Sequence, residues 1–204
     1  MKKIIKIILI SFLILGQFNL VHSRNLDKYY KSDKISNYFS GIVSFDNKNN
    51  SVALDFFNSS KILIDKHDPF LKSYILSLVL EKKIPQAINL IKQNIGKDNT
   101  NFFEAYLLLT LDSLKKNDFN QAKIYLSNTM KFVDQDGFNS VILESLNQYI
   151  FVFKEKRILK SDKNSSNLSL IAETFQRCYL SDDQTGASFS NLINNYSQID
   201  YTRY

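Results

Sequence analysis

The stretch KNDFNQAKIYL, Lys116–Leu126, places a single methyl group where a helix is expected to bury something larger. Ala122 is followed at helical spacing by Tyr125, Leu126 and Thr129, so it lies on the apolar stripe and not on the wet side. The reason for a small residue there emerges when the same arrangement is sought elsewhere in the chain.

It occurs twice more. NKNNSVALDFF (Asn47–Phe57) and EKKIPQAINLI (Glu81–Ile91) align with it around Ala53 and Ala87, which puts the three alanines 34 and then 35 residues apart. In each segment a polar or charged break precedes the Ala, and a large apolar residue follows four positions on: Phe57, Ile91 and Leu126. Each segment is also preceded by an apolar-periodic run of helical length, at Ile35–Phe45, Phe70–Leu80 and Phe102–Leu114. The unit is a helix, a short polar turn and a second helix. The low count of 5 Gly and 2 Pro in 204 residues agrees with long helices and argues against a many-turned β fold.

A helix-turn-helix unit of this period resembles the tetratricopeptide repeat. That resemblance implies an all-α, right-handed solenoid of antiparallel helix pairs, with a small residue on each second helix where the two helices cross closely. A methyl at Ala122 lets the backbones approach, and a bulkier side chain would overpack the crossing. Gly41, twelve residues before Ala53, stands where the family places a small residue on its first helix; Ile75 and Thr110 stand there in the later units. Tyr106 matches the family's aromatic on the first helix of the third unit. The units are degenerate: Trp is absent, and the family's Pro near the unit end is missing, although Asp68-Pro69 breaks the chain after the first unit. The resemblance spans residues 35–132, as three helix pairs.

The same style continues over 133–204, read as a further helical pair and a terminal helix. Val141–Phe153 carries Ile142, Leu146, Tyr149, Ile150 and Phe153 at helical spacing, and Lys154 to Arg157 suit a helix C-terminus. Ser161–Asn167 reads as a polar loop with capping residues, and Leu168–Leu180 as an amphipathic helix. Phe189, Leu192, Ile193, Tyr196 and Ile199 then form an apolar stripe, followed by Tyr201 and Tyr204. This stripe is expected either to fold back and cap the stack or to mediate self-association through the C-terminal end.

At the other end, Lys2, Lys3 and Lys6 precede the apolar run Ile7–Leu15, and Val21-His22-Ser23 follows. This is the pattern of a secretory signal peptide over residues 1–23, which implies an exported, periplasmic protein. The alternative is an uncleaved anchor in the inner membrane, for which the run is short. Residues 24–34 read as a loosely ordered lead-in. Removing the three leader lysines takes the net charge from +6 to about +3, with 23 basic against 20 acidic side chains. That is too little and too evenly spread for a nucleic-acid binder. The lone Cys178 forms no internal disulfide.

No catalytic constellation stands out. His67 is the only histidine beyond the leader, which leaves no histidine pair for a metal, and it reads as a turn residue beside Asp68-Pro69. There is no Gly-rich phosphate loop, no GxSxG and no HExxH. No cofactor is expected. The function that follows is a non-catalytic scaffold binding a protein or peptide partner, which in exported bacterial members of the family serves the cell envelope. Lys72, Tyr74, Ser77, Tyr106 and Asp112, on first helices, are the candidate partner contacts. The alternative is a helical-bodied envelope enzyme using a carboxylate in a cleft, with Glu81, Glu104 and Glu144 as the available acids.

Overall fold

The computed structural model describes residues 32–133, 137–159 and 167–194. The described residues form helices, with no strand among them. In chain order the α-helices are α1 (Ser32–Asp46), α2 (Asn50–Ser59), α3 (Asp68–Leu80), α4 (Ile84–Asn94), α5 (Phe103–Lys115) and α6 (Phe119–Thr129). They continue as α7 (Phe138–Glu155), α8 (Asn167–Tyr179) and α9 (Thr185–Asn194). No described helix is long and apolar enough to cross a membrane. The expected signal peptide, residues 24–31 of the lead-in, residues 161–166 of the expected polar loop and residues 195–204 lie outside the described residues. Helix α1 begins at Ser32, three residues before the expected boundary.

Each helix packs on the next in sequence, and α1 also touches α3. The turns between α1 and α2, α3 and α4, and α5 and α6 share one geometry. Lys48, Lys82 and Asn117 adopt left-handed φ values of 61°, 60° and 60°. At each, the amide of that residue donates to the carbonyl three residues back, and the next amide donates to the carbonyl five residues before it. For Lys82 these bonds run to Val79 and, from Lys83, to Leu78, at 2.9 and 2.8 Å. This is the Schellman closure, which satisfies carbonyls that a helix end leaves open. The turns therefore recur at 34 and 35 residues, the same spacing as the alanines. A fourth copy sits between α8 and α9, with Ser181 at φ 56° and the same two bonds.

The alanines pack as their spacing requires: Ala53, Ala87 and Ala122 are all 0% exposed. Phe57, Ile91 and Leu126 are buried with them. One core runs through α1–α5, around Phe57, Phe70, Tyr74 and Ile75; a second joins Ala122 and Leu126 to Leu143 and Ile150 of α7. A buried polar residue closes each second helix at a matching position. Ser60 donates to the Lys34 carbonyl at 3.0 Å, Asn94 to Leu90 at 2.9 Å and Thr129 to Tyr125 at 2.9 Å.

Helix α7 packs against both α6 and α8, with Gln176 donating to buried Gln148 at 3.2 Å. The repeated turn, however, belongs to α8 and α9, so by turn geometry α7 stands between the third unit and that hairpin.

Candidate functional site

Hairpins are tied to one another by polar bridges at near-repeat spacing. Asn99 donates to the Ile64 carbonyl at 2.7 Å, Lys97 pairs with Asp65 at 2.6 Å and Lys72 pairs with Glu104 at 3.0 Å. Between α4 and α5 the packing is less complete, and a groove with a cavity volume of about 560 Å³ opens there. Ile84, Pro85 and Ile88 of α4 lie on one side of it, and Leu108 and Leu111 of α5 on the other. Leu111 is 44% exposed. Its exposure follows from composition. Tyr106 to Leu111 holds more apolar side chains than one face of a helix can bury.

The groove has a charged edge. Asp112, Lys115 and Lys116 line it. Asp112 accepts from Lys92 of α4 at 2.7 Å and from Lys116, the residue after the end of α5, at 2.8 Å. Burial alone would raise the Asp112 carboxyl, but the hydrogen bonds from Lys116 and Lys92 outweigh it and hold it below the ordinary carboxylate range. The bond to Asp112 correspondingly raises Lys92. One carboxylate thus clamps the second hairpin to the third. Lys115 makes no ion pair with a described residue.

The five expected contact residues divide. Asp112 lines the groove. Lys72 is exposed, held between Glu104 and the Phe102 ring at 5.5 Å. Tyr106 is half-buried and stacks on Phe132 at 6.1 Å. Tyr74 and Ser77 correct the expectation, being 4% and 0% exposed. The Tyr74 hydroxyl donates to Asn58 Oδ1 at 2.8 Å and the Ser77 hydroxyl to the Ser73 carbonyl at 3.0 Å. Helix α3 is wedged among α1, α2 and α4, so it offers no wide free face, and these side chains serve the core.

The acids Glu81, Glu104 and Glu144 do not line the groove. Glu104 directs one oxygen to Lys72, while Oε2 is buried with no hydrogen-bond partner. His67 precedes α3 and meets the Tyr38 ring edge-on at 4.8 Å. Among the described residues no group of three or more His, Cys, Asp or Glu side chains is placed to hold a metal ion.

Sequence reasoning missed Ile84, Ile88, Leu108 and Leu111 as site residues, because each alone reads as core. The surplus of leucines in α5 was the available signal. No family model, curated protein or solved structure matches the chain.

Proposed function

We propose that this chain is a non-catalytic binding scaffold of the tetratricopeptide-like kind, working in the bacterial cell envelope. Its helices form a right-handed stack of antiparallel pairs, and a protein or peptide partner docks in the groove between α4 and α5. The observation that carries the reading is that groove: a partly exposed apolar surface between two hairpins that are themselves locked together. A preformed groove spares the receptor much of the ordering cost of binding, and paired helices are a recurrent seat for a helical or extended ligand. The repeated turns, the buried alanines and the α1–α3 contact support the stack. The envelope assignment rests on the basic and apolar leader over residues 1–23.

The test is site-specific photo-crosslinking in the native host. A photoreactive phenylalanine at Leu111 is expected to give a discrete adduct, identified by mass spectrometry. The same group at exposed Ile62, on the far side of the second hairpin in sequence, is expected to give none. Equal adducts at both positions, or none at Leu111, would overturn the assignment.

A further inference from the structure

The groove's charge points to the chemistry of its occupant. Lys115 and Lys116 line a surface that is otherwise apolar apart from Asn89 and Asp112, its one carboxylate, and Lys92 reaches Asp112 from α4. Asp112 is already engaged by Lys92 and Lys116, and its side chain is only 10% exposed, whereas those of Lys92 and Lys116 are 41% and 60% exposed. A ligand arriving at this edge meets a net positive field, because the buried anion is spent on the clamp and the lysine heads face water. Lys82 and Lys83, next before Ile84 in sequence, are exposed too. The apolar surface asks for a side-chain stripe, and the lysine edge asks for carboxylates beside it.

We propose that the occupant is an acidic amphipathic peptide, docked with its apolar stripe on Ile88, Leu108 and Leu111 and its carboxylates toward Lys115 and Lys116. This rests on the binding-scaffold reading and adds the ligand class to it. Like charges across the same edge would be repelled, so the lysines select partners as well as attract them.

Fluorescence anisotropy with two synthetic helical peptides tests the proposal on the mature chain. Both carry one leucine stripe, flanked by glutamates in one peptide and by lysines in the other. The glutamate peptide is expected to bind about tenfold more tightly at low ionic strength, with the gap narrowing as salt screens the exposed lysines. Lys115→Glu, at an exposed position, is expected to shrink or invert that preference. Leu111→Glu is expected to weaken the glutamate peptide most, because it removes the apolar contact and adds a repelling carboxylate, with its melting curve confirming the fold. If both peptides bind equally and both are lost in Leu111→Glu, the groove stands and the acidic ligand falls. If neither binds, or binding ignores Leu111→Glu, the proposal is overturned. A concentration-dependent dimer abolished by Leu111→Glu would place a second copy in the groove and overturn it as well.

Discussion

The ring of Phe57 lies directly against the backbone of Gly41, so closely that a Cβ on Gly41 would stand 2.7 Å from Cε1 and 2.9 Å from Cδ1. The ring has little freedom to retreat, because Phe70, Tyr38 and Tyr74 surround it at 5.8, 6.2 and 6.5 Å between centroids. The equivalent positions of the next units hold Ile75 with Ile91 and Thr110 with Leu126, all buried. Where one partner is small the other is large, so the crossing is filled in each unit by a different division of volume.

Gly41→Ile is therefore expected to destabilise the protein by about 3 kcal/mol or more through overpacking. Adding Phe57→Ile copies the second unit's solution and should recover most of the loss. Chemical denaturation of the single and double variants gives the coupling. Additive losses would show that the two positions are not one packing unit. Gly→Ala in a free helix stabilises by about 1 kcal/mol, so a loss in Gly41→Ala would have the sign of the contact and not of propensity.

Ala122 makes the same argument in the third unit. Ala122→Leu should cost about 1–3 kcal/mol, while Lys123→Leu on the exposed neighbour should stay within about 0.5 kcal/mol. Thermal melts of the two variants decide it; equal behaviour would remove Ala122 from a close crossing.

The period and the alanines were legible in the sequence because volume at a helix crossing is a local property of one position. The turns were only partly so. Asn117 suits a left-handed site, but Lys48 and Lys82 carry no glycine or asparagine signature, and their φ is imposed by the hairpin. Tyr74 and Ser77 misled because a helix covered on several sides loses the alternation that marks a free face. The Asp112 clamp was invisible because Lys92 is twenty residues away on another helix.

Lys82 gives a test of that imposed geometry. Lys82→Gly should raise stability by a few tenths to about 1 kcal/mol by relieving the left-handed backbone, and Lys82→Val should lower it. Denaturant midpoints of both variants would show opposite shifts; a loss in Lys82→Gly would contradict the turn.

Asp112 links stability to pH. Its carboxyl is held below its ordinary value, so its contribution is present above about pH 4, the unfolded value, and is lost as pH falls through the lower folded one. Asp112→Asn should cost roughly 1 kcal/mol at pH 7, and the deficit should close toward pH 2. Urea titrations across that range check it; a deficit unchanged by acid would mean that the clamp is not electrostatic.

Amide hydrogen exchange of the protein, with and without the partner crosslinked at Leu111, tests the central claim most directly. The account predicts protection concentrated in 84–92 and 108–116, the two walls of the groove. Protection confined to α1–α2 or to α8–α9, with those walls unchanged, would contradict it.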